Sequence, residues 1–285
     1  MDDTQLYACE LCGGGNFSEI PRVTKYTGGQ PIHVCEGCGF VQVIRRRSPQ
    51  RIADEWSNEL YADAYRPRIP AVTARQTFVA EMVHTTIGMD DRSVADIGAG
   101  EGQFLAMISK SDYGARVFGI EPSTTNCTQM RQRGIECFAG TIEDYLEQVG
   151  SERRFDIVTI LWTLENCNSC QLMLNASWRL LKDNGYLVVA TGSRILVPFK
   201  KPLGYYLDDK ALDTHAFRFS AGTLTGLMAK AGFEVEHSNR YLDHDVLCMI
   251  ARRTDRAAPL PWKGDDWRQV CDFFRRWDDE SQHYG

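Results

Sequence analysis

The sequence lacks long hydrophobic runs, a secretory N-terminus and an excess of positive charge. No stretch approaches the ~20 uncharged apolar residues that a membrane-spanning helix requires. The first residues, Met-Asp-Asp-Thr-Gln, are acidic and polar, whereas a signal peptide begins with basic and then apolar residues. We therefore expect a cytoplasmic protein that is not embedded in a membrane.

The formal net charge of −6 argues against a general nucleic-acid-binding protein, because such proteins concentrate positive charge against phosphates. A local exception is the basic cluster at residues 45–47 with Arg51, which is more often a solvated surface than a phosphate contact. Apolar residues make up 43% of the 285 positions, which is enough for a substantial core. The length fits one large domain with a small appendage.

Four of the ten cysteines form two Cys-x-x-Cys-Gly pairs, Cys9/Cys12 and Cys35/Cys38, with 22 residues between them. Each pair presents two thiolates from a tight turn, and four thiolates complete the tetrahedral shell of a structural zinc ion. The expected compartment disfavours two disulfides, and a redox centre requires only one such pair. Short β-type runs flank both pairs, so we predict a zinc ribbon over residues 1–47.

A glycine-rich loop follows an apolar strand in the middle of the chain. The run SVADI at residues 93–97 leads into GAGEG at 98–102, and an apolar-periodic helix begins near Gln103. Such a loop lets the backbone approach a ligand closely and directs N–H groups towards it. The chain has no Gly-Lys-Ser/Thr, which excludes a P-loop, and the glycine spacing differs from the dinucleotide-binding fingerprint.

Strands and helices alternate around this loop. Apolar periodicity predicts connecting helices at residues 52–65 and 71–87. The further predicted elements are strands at 116–121, 135–138, 155–162 and 186–190 and helices at 123–133 and 172–182. This alternation predicts a doubly wound α/β sheet. Glu121 ends the second strand, where a carboxylate is suited to bind ribose hydroxyls.

The order of these motifs resembles that of class I S-adenosylmethionine-dependent methyltransferases over about residues 90–252. The matching segments are Asp-Ile-Gly-Ala-Gly-Glu-Gly from Asp96, the carboxylate Glu121, Gly-Thr-Ile-Glu from Gly140, Phe-Asp-Ile-Val from Phe155 and Leu-Leu-Lys-Asp-Asn-Gly-Tyr-Leu from Leu180. The resemblance implies a Rossmann-like methyltransferase sheet with S-adenosylmethionine as the cofactor.

The resemblance also implies where the cofactor binds. The glycine loop passes close to the methionine part, Glu121 holds the ribose, the 141–142 turn flanks the adenine, and the 161–162 segment lines the pocket towards the acceptor. The cofactor-binding residues expected on this basis are Asp96, Gly98, Ala99, Gly100, Glu121, Pro122, Thr141, Ile142, Leu161 and Trp162.

Methylation of a hydroxyl or a carbon acid requires a proton acceptor, and His215 is the candidate after the 186–190 strand. It precedes a helix that Ser220 caps, so it lies in a loop near the carboxyl edge of the sheet. An imidazole, with a pKa of about 6.5, suits a general base at neutral pH, although a loop histidine can simply be exposed. Asn166, after Glu165, stands where many small-molecule methyltransferases of this class carry a histidine, which removes one possible base.

The chain also resembles the zinc-containing deoxysugar C-methyltransferases, which act on nucleotide-linked sugars. The shared features are the N-terminal four-cysteine module and a histidine followed by aromatic-Phe-Ser, here His215 and Phe219-Ser220. The tyrosine and glutamate that precede this histidine in that group are Leu212 and Thr214 in this chain. The resemblance implies that His215 serves the chemistry and that the acceptor is a sugar or a nucleotide-linked sugar.

The C-terminal segment carries Trp267, Val270, Phe274 and Trp277 at the spacing of an amphipathic helix, which we expect to pack on the domain or on the ribbon. The predicted division of the chain is a zinc ribbon at 1–47, a helical connector at 48–90, an S-adenosylmethionine-binding domain at 91–254 and a C-terminal helix at 255–285.

These observations predict an enzyme that transfers a methyl group from S-adenosylmethionine to a small polar acceptor, with structural zinc and His215 as the general base. Two alternatives stay open. One is an RNA or protein methyltransferase that binds its macromolecule through the ribbon and residues 45–47. The other is a protein that binds S-adenosylmethionine without catalysis.

Overall fold

The structure is a computed structural model that describes residues 4–25, 27, 29–48, 69–192, 215–240, 246–255 and 260–281. A seven-stranded sheet forms its centre, and a smaller four-stranded sheet carries strands from the N-terminal region. The connecting helix expected at residues 52–65 lies outside the described residues. The predicted four-part division of the chain stays a prediction.

The N-terminal region is built from five short strands. They are β1 (Thr4–Leu6), β2 (Phe17–Glu19), β3 (His33–Cys35), β4 (Val41–Gln42) and β5 (Arg45–Arg47). Strands β2, β3 and β4 pair in antiparallel order, and β1 pairs with β5. This is the ribbon arrangement that the spacing of the two cysteine pairs predicts.

Eight further strands follow in the described part of the chain. They are β6 (Ser93–Ile97), β7 (Arg116–Glu121), β8 (Glu136–Ala139), β9 (Phe155–Leu161), β10 (Leu181–Gly192), β11 (Phe217–Arg218), β12 (Phe233–Ser238) and β13 (Val246–Arg253). The central sheet has the order β12-β13-β10-β9-β6-β7-β8. The pairs from β10 to β8 are parallel, and β13 is antiparallel to both of its neighbours. The predicted α/β sheet is confirmed.

Helices cover both faces of this sheet. They are α1 (Ile69–Ile87), α2 (Gln103–Ile108), α3 (Thr124–Gln132), α4 (Ile142–Gln148), α5 (Cys170–Leu180), α6 (Ala221–Lys230) and α7 (Trp267–Ser281). One buried apolar cluster joins the sheet to α1, α2 and α3, and another joins it to α4, α5 and α6. No described helix combines the length and the hydropathy needed to cross a bilayer.

Two boundaries differ from the sequence pattern for local reasons. Helix α5 begins at Cys170, two residues before the predicted start, because the Ser169 hydroxyl accepts a hydrogen bond from the Leu172 N–H and caps the helix. Strand β10 begins at Leu181 and includes the Asn184-Gly185 segment that the pattern marks as a turn. Asn184 adopts a left-handed backbone with a φ of 59°, and the strand register shifts there.

The ribbon sheet is completed by a strand from the distant part of the chain. Strand β11 pairs antiparallel with β4, with Phe217 opposite Gln42. The Phe217 ring stacks on Phe40 with ring centres 6.0 Å apart. The four-stranded sheet therefore combines three strands of the ribbon with one strand, β11, from the part of the chain that follows β10.

The C-terminal helix α7 packs on the ribbon, one of the two positions expected for it. Val270 and Phe274 are buried in a cluster with ribbon residues that include Ile20 and Val34. The Asp265 N–H, just before the helix, donates a 2.9 Å hydrogen bond to the Cys38 carbonyl. The side chain of Trp277, the last member of the predicted apolar stripe, lies outside the described part of the chain.

Candidate functional site

The candidate site lies at the carboxyl ends of β6 and β9. Strands β7 and β8 lie on one side of β6, and the next strand in the chain, β9, pairs with β6 on its other side. This reversal opens a crevice outside the carboxyl ends of the two strands, which is where open α/β sheets bind their ligands.

The glycine-rich loop follows β6 in this crevice. Gly98, Gly100 and Gly102 adopt left-handed backbone conformations, with φ angles of 74°, 55° and 74°. A Cβ atom at Gly98 would lie 2.4 Å from the Thr163 hydroxyl oxygen, which belongs to the segment after β9. Only glycine permits this backbone conformation and this close approach of the two loops. Ala99, between the first two glycines, is 9% exposed.

Glu121 joins the end of β7 to the glycine loop. Its Oε2 accepts a 2.8 Å hydrogen bond from the Gly100 N–H, and its Oε1 accepts a 2.9 Å bond from the Ser123 N–H. Burial raises the pKa of this carboxyl, and the N–H bonds oppose the rise. Pro122, next in the chain, is half-buried. The structure thus brings together the two features predicted to contact the methionine part and the ribose.

Asp96 lies beneath the loop. Its side chain is 3% exposed, and its Oδ1 accepts a 2.6 Å hydrogen bond from the Thr159 hydroxyl on β9. Burial raises the pKa of Asp96 to about 7. In this position the carboxyl links β6 to β9, and its prediction as a cofactor-binding residue stays a prediction.

The turn at residues 141–142 lies beside Glu121, because the Gly140 N–H donates a 3.0 Å bond to the Glu121 carbonyl. Thr141 caps α4: its hydroxyl accepts from the Asp144 N–H at 3.1 Å, and the Asp144 carboxylate accepts from the Thr141 N–H at 2.8 Å. Ile142 is buried in the core. The backbone of this turn, rather than the Ile142 side chain, is therefore the part that can flank an adenine.

Leu161 and Trp162 end β9 on the other side of the crevice. Trp162 has a φ of 53°, its N–H donates to the Ala190 carbonyl at 2.7 Å, and its indole Nε1 is buried with no hydrogen-bond partner among the described residues. The Arg75 guanidinium of α1 lies 4.8 Å from the centre of the indole ring. Sequence patterns assign no role to Arg75, because it is one of several polar positions of an amphipathic helix.

His215 lies at the carboxyl edge of the sheet and is half-buried. The N–H of its neighbour Ala216 donates a 2.9 Å bond to the carbonyl of Glu165, which belongs to the turn after β9. Glu165 is 4% exposed, and burial raises the pKa of its carboxyl while the charge of His215 opposes that rise. Sequence patterns assign no catalytic role to Glu165, since its burial and its proximity to residue 215 arise only from the tertiary fold.

The four cysteines of the ribbon form one cluster, with all Sγ atoms within 4.8 Å of one another. The Cys9 and Cys38 sulfurs are 3.6 Å apart, and those of Cys12 and Cys35 are 3.4 Å apart. Zn–S bonds of about 2.3 Å imply a tetrahedral S–S edge of about 3.8 Å. Four thiolates this close together repel one another, so they require a bound cation to offset their charge. The donor set fits zinc.

The basic cluster at residues 45–47 is not a uniformly solvated surface. The Arg46 side chain is 1% exposed and forms a 2.9 Å ion pair with Glu10. Its guanidinium also lies 3.8 Å from the centre of the Tyr7 ring. The interpretation as a solvated surface is wrong for Arg46, because this side chain faces the junction between the ribbon and the central domain; Arg45 is exposed.

Comparisons with known proteins agree with this geometry. A family model described as a methyltransferase domain matches residues 71–238. The ubiquinone biosynthesis O-methyltransferase of Brucella anthropi is 26% identical over 159 residues, which cover 51% of this chain and 62% of that protein. The chain thus matches less than two thirds of the length of this relative.

Solved structures share the fold. A methyltransferase from Thermotoga maritima, described as a possible histamine N-methyltransferase, aligns with a TM-score of 0.54 at 19% identity, over 71% of this chain and all of that one. The magnesium protoporphyrin IX methyltransferase of Synechocystis, solved with bound S-adenosylmethionine, aligns with a TM-score of 0.52 at 12% identity, over 72% of this chain and 97% of that one.

Proposed function

This chain belongs to the methyltransferase-domain family of class I S-adenosylmethionine-dependent enzymes, and we propose that it methylates an oxygen atom of a small polar acceptor, with His215 as the general base. The observation that carries the proposal is that the glycine loop with Glu121 and the His215 segment lie at the same carboxyl edge of the sheet.

S-adenosylmethionine supplies a methyl group that is activated by a positively charged sulfur. Glu121 would hold the ribose hydroxyls, and the 98–100 backbone would lie beside the methionine part. The hydrogen bond from the Gly100 N–H to Glu121, which joins these two features, supports this assignment. The Trp162 indole N–H and the Gln103 side-chain oxygen are buried without a hydrogen-bond partner among the described residues, so a bound polar molecule would satisfy them. The positive charge of Arg75, over the Trp162 ring, suits the carboxylate of the cofactor.

Methylation of a hydroxyl requires that its proton leave as the oxygen becomes a nucleophile. His215 lies in the segment that closes the acceptor side of the crevice, and its imidazole can take this proton at neutral pH. The chain's other tasks are to hold the acceptor close to the cofactor and to exclude water.

Transfer to oxygen is supported by the curated relatives, which are named as O-methyltransferases of ubiquinone biosynthesis. The comparisons do not support the resemblance to deoxysugar C-methyltransferases. A sugar hydroxyl stays as the second acceptor candidate for one reason: the four-cysteine module pairs directly with the strand beside His215, as a module that helps to enclose the acceptor would. The cytoplasmic location also stays a prediction.

We further propose that the four-cysteine cluster holds a structural zinc ion, which its sulfur spacing and closed ligand set support. The macromolecular alternative is weakened because Arg46 is engaged inside the chain. A protein that binds the cofactor without catalysis is the alternative that the following experiment excludes or establishes.

The test begins with native mass spectrometry of the purified protein, where we expect one zinc and S-adenosylmethionine or its demethylated product. Methyl transfer is then measured with radiolabelled cofactor against catechols, hydroxybenzoates and nucleotide-linked sugars. His215→Gln is expected to abolish transfer while S-adenosylhomocysteine affinity, measured by calorimetry, changes less than about twofold. His237→Gln, at an exposed histidine, is the matched control. Full activity of His215→Gln removes this residue from the mechanism.

A further inference from the structure

Glu165 is a buried carboxylate at the acceptor side of the crevice. It belongs to the short turn Leu164–Asn166 that follows β9, and only 4% of the residue is exposed. Burial raises the pKa of its carboxyl, and the charge of His215, the Thr191 side chain and the Gly192 N–H oppose that rise. Burying a carboxylate is costly, so the fold must hold this group for a reason other than packing.

One oxygen of the Glu165 carboxylate lacks a hydrogen bond from the described part of the chain. Its Oε2 is buried and has no hydrogen-bond partner among the described residues. The Ala216 N–H donates a 2.9 Å bond to the Glu165 carbonyl, which fixes the His215 segment directly against this turn. This bond holds the backbones of the Glu165 turn and of the His215 segment together at the carboxyl edge of the sheet.

We propose that Glu165 is the positioning residue for His215, and that in the cofactor-bound enzyme its Oε2, unpartnered within the described structure, accepts a hydrogen bond from one imidazole N–H. This inference rests on the proposed function of His215 as the base. The bond orients the other ring nitrogen towards the acceptor and stabilises the imidazolium that forms when His215 takes a proton.

In the proposed step, the acceptor O–H bond breaks and its proton moves to the free imidazole nitrogen. The oxygen's electron pair forms the new bond to the methyl carbon while the bond from that carbon to the sulfonium sulfur breaks, and the electron pair of the broken bond stays on the sulfur of the S-adenosylhomocysteine that leaves. The imidazole becomes an imidazolium whose charge Glu165 neutralises, and it later releases the proton to water. The field of His215 on Glu165 is consistent with this pairing, because it opposes the rise of the Glu165 pKa that burial causes.

Other ionisable groups surround the pair but do not replace Glu165. The Nη1 of Arg218 donates a 2.9 Å hydrogen bond to the His215 backbone carbonyl. Glu10 and Arg46 neutralise each other. Cys167, after the turn, and Cys170, at the start of α5, are both buried, and the Cys167 thiol donates to the Leu164 carbonyl. Arg179 lies in the last turn of α5.

The direct test is an NMR titration of the intact protein labelled with ¹⁵N-histidine, in the presence of S-adenosylhomocysteine. The His215 resonance is assigned by its loss in His215→Gln. We expect Glu165→Gln to lower the titration midpoint of His215 by about one unit, while Glu143→Gln, at an exposed position, leaves it unchanged. An unchanged midpoint in Glu165→Gln overturns the proposal.

Two further measurements do not depend on the folding of Glu165→Gln. Glu165→Asp retains the charge and is expected to retain most of the wild-type midpoint. In the wild-type protein, the His215 midpoint is expected to lie above about 6.5, the ordinary value for a histidine side chain. A His215 midpoint at or below about 6.5 overturns the pairing without any variant.

Activity separates this inference from the proposed function. With an acceptor from the panel above, Glu165→Gln is expected to lower kcat about tenfold or more, with little change in the KM for S-adenosylmethionine. The acid limb of the kcat–pH profile is expected to move to lower pH, because the pKa of the base falls. If His215→Gln is fully active while the NMR midpoint shifts, the base assignment fails. If His215→Gln is inactive while Glu165→Gln shifts nothing, only the role of Glu165 fails.

Discussion

The backbone N–H of Val43 donates a 2.8 Å hydrogen bond to the carbonyl of Ala216, so the ribbon is bonded to the residue that follows His215. The pairing of β4 with β11 continues this contact through Phe217 and Arg218. The position of the proposed base, His215, therefore depends on a folded ribbon.

Removal of the metal is expected to loosen the segment at residues 215–219 while the glycine loop keeps its structure. A ribbon of this size depends on its metal for folding, and β11 loses its partner when the ribbon unfolds. Hydrogen exchange before and after treatment with a chelator measures this: exchange is expected to accelerate in the 215–219 segment and not in β6 or β7. Unchanged exchange at 215–219 in zinc-free protein contradicts the coupling.

Arg46→Gln is expected to lower the free energy of unfolding by about 3–5 kcal/mol, because it leaves Glu10 charged, buried and unpaired. Arg45→Gln is the matched control at the neighbouring exposed position, where we expect a change below about 0.5 kcal/mol. Urea unfolding followed by circular dichroism measures both. Equal effects of the two substitutions would contradict the structural role of Arg46.

Glu121→Gln is expected to weaken S-adenosylhomocysteine binding at least about tenfold, since hydrogen bonds from a ligand to a charged group contribute about 1.5–3 kcal/mol. The amide keeps an oxygen for the Gly100 N–H, so the loop itself should be retained. Glu152→Gln, at an exposed position, is the control. Calorimetry that finds wild-type affinity in Glu121→Gln would remove this residue from the ribose site.

Asp96→Asn is expected to stabilise the protein at pH 8 but not at pH 4. Burial raises the pKa of Asp96 from 3.8 to about 7, so the stability that this carboxyl contributes is complete below about pH 4 and is lost as the pH rises through 7. Asparagine does not titrate and keeps an acceptor for the Thr159 hydroxyl. We expect a gain of about 1–3 kcal/mol at pH 8. Asp112→Asn is the exposed control, and a gain that does not depend on pH would contradict the cause given.

Much of the fold follows from local pattern. The run at residues 93–97, the glycine loop and the nearly all-apolar strand at 155–162 occur where the sequence predicts them. The cysteine spacing likewise predicts a cluster that the structure forms. These features are predictable because each depends on residues close in sequence, through periodicity, turn geometry or ligand spacing.

The rest depends on contacts between distant segments. Nothing in the basic cluster at residues 45–47 indicates that Arg46 is buried, because its partner Glu10 belongs to the distant turn between Cys9 and Cys12. The pairing of Phe217 with Gln42 and the burial of Glu165 against the His215 segment are likewise properties of the assembled fold. Local sequence does not encode which distant strand completes a sheet.

Phe217 faces Gln42 across a strand pair, 175 residues later in the chain. During synthesis, all four cysteines are available to a metal ion long before this strand exists. The edge of β4 therefore stays unpaired until β11 has been synthesised, and the ribbon lacks its contact with α7 until the C-terminal segment follows. Long-range pairing of this kind is slow to form and leaves intermediates with an exposed strand edge. Early capture of the proposed zinc ion would keep the N-terminal segment compact during that interval, so the timing of zinc supply would then affect the yield of folded protein.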